Sequence, residues 1–281
     1  IDGVHDEMEG GPGAHWQQLV RGAGALLPGT GLAPVSGAVR FEVSGATAEV
    51  YSNAQIDDYQ GLPRSTFPWR PPLRMAVRAR FARPVSELAG TAGFGFWNDP
   101  FLMTGLRVPA LPRAAWFFFG SPPSNIKLAL DVPGRGWKAA TIDAVGLRAV
   151  LWGLTVPVTV PLMNVHAIYR RLWPRIQRAL RVGEAQIDVD VTQWHTYELA
   201  WGEARARFWV TADGAQPGEP LLDAPAPRGP LGCVIWMDNQ FLVATPQGRF
   251  RWGTLDVEGE QWMEIERVVI CLLYTSDAAD E

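Results

Sequence analysis

Between Trp194 and Val210 the chain reads Trp-His-Thr-Tyr-Glu-Leu-Ala-Trp-Gly-Glu-Ala-Arg-Ala-Arg-Phe-Trp-Val, a stretch that few folds can accommodate. His195, Tyr197, Leu199 and Trp201 alternate with Thr196, Glu198 and Ala200, the period of two expected of a strand with one face on a core. Gly202-Glu203 makes a turn. Ala204, Ala206, Phe208 and Val210 then alternate with Arg205, Arg207 and Trp209, so the return strand has one apolar face and one cationic and aromatic face. A hairpin of this kind needs a sheet to pack on, and the rest of the chain offers one.

Val39, Phe41 and Val43 alternate with polar neighbours as a first strand, expected to pair near a last strand over Gln261 to Ile270. Leu73, Met75, Val77, Ala79 and Phe81 face one way while Arg74, Arg78 and Arg80 face the other. Gly93 to Pro100 follows, with Phe94 and Phe96 on one face; Gly93, Gly95 and Trp97 on the other would leave an open floor beside one indole. Ala114 to Gly120 is wholly apolar, buried on both faces or lining a groove. Asn125 to Val132, Trp137 to Ile142 and Leu231 to Val243 read as further strands, the last with Val234, Trp236 and Asp238 sharing a face. Gln55 to Pro72, with four prolines, reads as turn. Many short strands separated by Gly and Pro predict an all-β antiparallel sandwich.

The strand Trp-His-Thr-Tyr-x-Leu-x-Trp at Trp194, its tight turn, the return Arg-x-Arg-Phe-x-Val and the following Asp213-Gly214 resemble the late hairpin of the concanavalin A-like lectins and glucanases, especially glycoside hydrolase family 16. The resemblance covers roughly residues 73 to 270 and implies a jelly-roll sandwich whose groove holds a carbohydrate. It also implies a catalytic strand Glu-x-Asp-x-x-Glu, because a nucleophile and an acid about 5 Å apart must flank the glycosidic bond. No such motif lies between Trp97 and Trp194; Ala114 to Gly120 takes its place without an acid. The expectation is therefore a non-catalytic, lectin-like module binding through Trp97, Asn98, Asp99, Trp116, Phe118, Trp236, Asp238 and Gln240, with indoles against the sugar ring and amides and carboxylates on its hydroxyls. Replacing Trp97 and Trp236 by Ala should then abolish glycan retention and spare the melting temperature.

Two other readings stay open. A divergent glycoside hydrolase would use two of Asp99, Asp131, Asp188, Asp190 and Asp238 facing each other across a cleft. A membrane-peripheral or assembly protein would use an insertion at 147–183. Residues 149–169 are 21 residues without a formal charge, the length of a bilayer span, but Pro157, Pro161 and Gly153 argue against a regular spanning helix. From Asn164, Val165, Ile168, Leu172, Ile176 and Ala179 or Leu180 recur at helical spacing with arginines between them, predicting a basic amphipathic helix over about 164–182, kinked or restarted at Pro174. Such a segment, 149–181, either caps the sandwich with its arginines solvated or touches an anionic membrane.

The ends and composition set bounds. Residues 1–35, rich in Gly and Pro, read as a loose arm with a short turn over Trp16 to Val20, and 36–270 as one sandwich. Cys271 to Glu281 resembles the translation of a transposase sequencing adapter, and the missing initiator Met suggests a fragment open at both ends. Without Asp277, Asp280 and Glu281, 29 acidic residues become 26 against 25 basic ones, so the basic excess of a nucleic-acid binder is absent. Setting Cys271 aside leaves Cys233 alone, without a disulfide partner. His5, His15, His166 and His195 are scattered, so neither a metal site nor a cofactor is expected. His195 reads as structural, Asp188 and Asp190 as one solvated strand face with carboxylates about 7 Å apart, and Asp57-Asp58 as a turn or a cation ligand. Thirteen Trp and 12 Phe mean either an aromatic core or rings facing a ligand.

Overall fold

The computed structural model describes residues 3–8, 12–29, 37–100 and 108–273. In chain order the first strands are β1 (Val4–Asp6), β2 (Gln17–Arg21), β3 (Gly24–Gly29), β4 (Ala38–Val43), β5 (Asn53–Asp57), β6 (Leu73–Phe81) and β7 (Thr91–Trp97). Then come β8 (Arg113–Gly120), β9 (Asn125–Ile126), β10 (Gly136–Asp143), the helices α1 (Leu147–Leu154), α2 (Val156–Leu162) and α3 (His166–Ala179), and β11 (Gly183–Gln186). The last are β12 (His195–Trp201), β13 (Arg205–Ala212), β14 (Leu222–Pro225), β15 (Gly232–Asp238), β16 (Gln240–Ala244), β17 (Phe250–Thr254) and β18 (Trp262–Leu272).

They form two large antiparallel sheets. The eight-stranded sheet runs β14-β13-β12-β6-β18-β4-β3 with β1 also on β18; the seven-stranded one runs β11-β10-β8-β7-β15-β5-β2. A small third sheet runs β17-β16-β9. The hairpin that anchored the sequence reading is β12–β13, with His195 opposite Ala212 and Trp201 opposite Ala206, and it lies against β6. Its apolar face enters the core between the sheets, where Tyr197, Leu199, Trp201 and Phe208 meet Phe94, Phe96, Phe117 and Trp137. Tyr197 approaches Phe94, Phe117 and Trp137 edge-on, at centroid distances of 5.2, 5.4 and 5.6 Å. β4 pairs with β18 as expected, Phe41 opposite Met263.

Four segments depart from the sequence reading. The described parts of the arm are not loose: β1, β2 and β3 pair with β18, β5 and β4, so their backbone groups are satisfied by strands distant in sequence. Residues 55–57 are not turn but part of the buried strand β5, whose Ala54 and Ile56 enter the core while Asn53, Gln55 and Asp57 take the other face. Asn125 to Val132 yields only two strand residues. β18 continues to Leu272, with Cys271 opposite Arg74 and Leu272 opposite Leu73, while 274–281 lie outside the described residues.

The insertion is three helices rather than one. Leu147, Val150, Leu151 and Leu154 have the helical spacing of α1, and Pro157 falls in the first turn of α2, where its missing N–H costs nothing. In α3 the buried stripe is Tyr169, Trp173 and Ile176, packed with Leu130, Trp152 and Leu180; Val165 is exposed and Ile168 and Leu172 only half-buried. The two rings, not the expected aliphatic row, hold the helix down, and the Trp173 indole donates to the Leu128 carbonyl at 3.0 Å.

Candidate functional site

The outer face of the seven-stranded sheet, turned away from the core, carries the residues singled out in the sequence. Strand register sets them in rows. Gln55, Trp236, Gly93, Phe118, Lys138 and Gln186 make one; Asp57, Val234, Gly95, Trp116, Ala140 and Glu184 make the next. A third runs through Arg21, Asn53, Asp238 and Thr91.

The four rings meet. Trp97 and Trp236 lie nearly parallel, 3° apart with centroids at 6.1 Å, and Trp116 sits 5.7 Å from Trp97, 6.0 Å from Trp236 and 5.5 Å from Phe118. The glycines do not leave an open floor; they make room for these rings. A Cβ on Gly93 would sit 2.7 Å from the edge of Trp236, and one on Gly95, whose φ is +145°, would sit 2.6 Å from the Trp116 backbone. Trp97 and Phe118 are buried, while Trp116 and Trp236 keep part of their surface. The Trp236 indole donates to Thr91 Oγ1 at 3.0 Å and that of Trp97 to the Tyr59 hydroxyl; Trp116 Nε1 has no partner.

The polar residues divide. Asn98 serves the backbone: its Nδ2 donates to the Leu111 carbonyl at 3.0 Å and its Oδ1 accepts the Arg113 N–H at 2.9 Å. Asp99 is fully buried with φ +44°, and Arg64 ties the carbonyls of both residues. Asn98 therefore does not present its side chain to the aromatic face, contrary to expectation, because its amide fixes the loop after β7. Asp238 does stand on that face, its Oδ1 accepting from the Thr91 N–H and hydroxyl and the Gln240 N–H at 3.3, 2.8 and 3.0 Å. Burial pushes its pKa up to about 6 against these bonds. Gln240 is half-buried at the start of β16.

Sequence reasoning missed the polar half of β5. Asn53, opposite Asp238 and fully buried, has neither amide atom partnered, and the adjacent Tyr51 hydroxyl is also unpartnered. Burial and the negative charge of Asp238 push the Tyr51 hydroxyl well up. Alternation of Asn53, Gln55 and Asp57 with Ala54 and Ile56 was the available signal, obscured by the prolines that follow. Asp57 accepts the Tyr59 and Gln60 N–H groups and the amides of Gln55 and Gln60, which ends β5 in a turn. Asp58 accepts the Cys233 N–H and the Trp69 indole; burial raises its pKa to about 7.

The far side of the face is closed by a buried ion pair, Lys138 Nζ to Glu184 Oε1 at 2.6 Å, with Nζ 4.7 Å above the Phe118 ring. Burial pushes Lys138 down and Glu184 up, each toward its neutral form. Leu128, Leu180 and Val182 pack beside Trp116 at the same side.

The acids considered for hydrolysis do not converge. Asp131, Asp188 and Asp190 are exposed outside the strands, Asp190 bonding Thr192. Residues 187–191 follow β11 rather than form a strand. Asp238 lies opposite Thr91 and Asp99 beyond Trp97, at opposite ends of β7 and so roughly 20 Å apart. His195 is buried with Nδ1 donating to the Gln193 carbonyl at 2.9 Å. Among the described residues no three His, Cys, Asp or Glu side chains gather as for a metal ion.

Fold and face together define an antiparallel sandwich with an aromatic outer surface. No family model matches the chain, and no curated protein sequence matches it. Among solved structures it is similar to an immunostimulatory antigen and pseudo beta-1,3-glucanase of Mycobacterium tuberculosis (TM-score 0.47, 13% identity, 96% of this chain and 98% of that one). It is similar also to a glycoside hydrolase family protein from Mycobacterium thermorestibile (0.48, 14%, 95% and 99%). A third is the exoplasmic/lumenal domain of VIP36 in its Ca2+/Man3GlcNAc-bound form (0.47, 11%, 96% and 90%).

Proposed function

We propose that residues 36–270, with the edge strands that pair onto them, form a carbohydrate-binding module without hydrolytic activity. The observation that carries this reading is the contiguous cluster Trp97, Trp116, Trp236 and Phe118 bordered by polar atoms with no protein partner, Trp116 Nε1 and the Asn53 amide. Aromatic surface takes the C–H face of a sugar, and the half-buried Trp116, Trp236 and Gln240 keep part of their surface open for one. The Lys138–Glu184 pair and Leu180 close one side, which favours the end of a glycan over an internal stretch of polysaccharide.

The arrangement of acids supports the non-catalytic part. Asp57 lies opposite Val234, four residues along β15 from Asp238, so the two carboxylates are about 13 Å apart, against the roughly 5 to 9 Å that glycoside hydrolysis needs. Binding of the purified chain to a glycan array tests the proposal. Because Trp97 is buried and bonded to Tyr59, its replacement would disturb packing, contrary to the sequence-based expectation; the informative variants are Trp236→Ala and Gln240→Ala, at half-buried positions. Retention should fall at least about tenfold, the equivalent of about 1.4 kcal/mol, with the fold intact. Unchanged retention in both variants, or release of reducing ends from a bound glycan, overturns the proposal.

A further inference from the structure

Residues 144–183 hold six arginines and no Asp or Glu, whereas the rest of the chain has 19 basic against 29 acidic residues, the six subtracted from 25. Among the described residues, Arg148, Arg170, Arg171, Arg175 and Arg178 have no carboxylate partner, although other arginines of the chain are paired. Arg148 on α1 and Arg175 and Arg178 on α3 border a groove of about 410 Å³ whose apolar lining is Leu151, Trp152 and Ala179. α1 and α2 turn large apolar side chains to the outside beside it: Leu147 is 75% exposed, Leu154 76% and Val158 64%. A core-packed amphipathic helix shows the opposite arrangement.

A second element, distant in sequence, brings the same chemistry to this place. The turn between β16 and β17 meets α2, since a Cβ on Gly248 would sit 2.4 Å from Val160 Cγ1. Directly after it Phe250 and Trp252 are 61% and 66% exposed, with exposed Arg249 and Arg251 alternating with them. Arginines without a carboxylate partner among exposed Leu, Val, Phe and Trp match an interface that is anionic at one depth and hydrocarbon at the next. A second copy of the chain fits poorly, because a two-fold contact would set like arginine clusters against each other. No helix among the described residues is long and apolar enough to cross a bilayer, and the prolines keep α1 and α2 short, so these helices would lie along a surface.

We propose that the α1–α3 insertion and the adjoining Phe250 and Trp252 seat this protein on membranes carrying anionic phospholipid. The arginines take headgroup phosphates, and Leu147, Leu154 and Val158 enter the upper acyl region.

Co-sedimentation of the full chain with vesicles of phosphatidylcholine alone, and of phosphatidylcholine mixed with phosphatidylserine, tests this. The chain should pellet with the mixed vesicles only, less as salt is raised. Arg175→Gln with Arg178→Gln should weaken partition about fivefold per arginine, and Leu147→Ser with Leu154→Ser, or Trp252→Ala, should weaken it at unchanged melting temperature. Trp236→Ala should pellet as the parent does, which separates this proposal from the glycan reading. No pelleting, equal pelleting on neutral vesicles, or indifference to all these substitutions overturns it. So does release by inorganic phosphate beyond that by chloride of equal ionic strength, which would mark a free-anion site. A concentration-dependent dimer that Leu154→Ser dissolves would also overturn it.

Discussion

The two outer faces of the sandwich are built on opposite plans. On the eight-stranded sheet, Arg40 and Arg80 both reach the buried Glu264, at 3.0 and 2.7 Å, Arg78 bonds Asp213 and Glu266, and guanidiniums lie 4.4 to 4.8 Å over Trp262 and Trp194. On the seven-stranded sheet, rings touch rings, and Asn53 and Trp116 are left with unpartnered atoms. A face whose guanidiniums and carboxylates are paired with each other has little charge to offer a ligand, even with the Trp194 indole N–H unpartnered. One with unpartnered atoms beside partly open indoles binds something or keeps a standing cost.

The contrast breaks first where the seven-stranded face is most buried. Lys138→Ala leaves Glu184 in the interior without its partner and should cost about 3 to 5 kcal/mol in chemical denaturation; a smaller loss would mean that water reaches the pair. Trp97→Ala, which opens a cavity beside Trp116 and Trp236, should cost about 3 to 5 kcal/mol by the same measurement.

Next comes pH. Asp238 holds its proton to about 6 when folded against an ordinary 3.8, so its contribution to stability is full below about 4 and is lost as pH rises through about 6. The loss is of the order of 3 kcal/mol. Asp238→Asn, which keeps an acceptor for Thr91 and Gln240, should flatten the melting temperature across that window relative to the parent; parallel curves would show Asp238 ionised throughout. The smallest effect belongs to the other sheet: Arg205→Ala, at the exposed pair with Asp223, should change stability by less than about 1 kcal/mol.

Period-two alternation sufficed wherever one side of a strand was apolar and the other charged, as in β6 and β12–β13, because burial and charge then mark opposite faces. It also put Trp97 on one face of its strand with Gly93 and Gly95, and Trp236 with Asp238, whereas the wholly apolar run Ala114 to Gly120 has no alternation to say which side Trp116 and Phe118 take. It failed on β5, where Asn53, Gln55 and Asp57 are polar yet buried, since composition reports hydrophobicity rather than enclosure. It failed as well for Asn98, whose amide serves loop backbone that no spacing reveals. In the insertion, α1 was hidden in an uncharged run, and α3 is held by Tyr169 and Trp173 rather than by its aliphatic residues.

β18 has a consequence for synthesis. It fills the space between β6 and β4, and β1 lies along it as well, so residues 262–272 join portions of the eight-stranded sheet made much earlier. Until that strand leaves the ribosome, β4 and β6 each lack a neighbour and present bare edges able to capture the wrong segment. A nascent chain of this design has a long interval of vulnerability, and its sheet closes only when residues 262–272 have emerged.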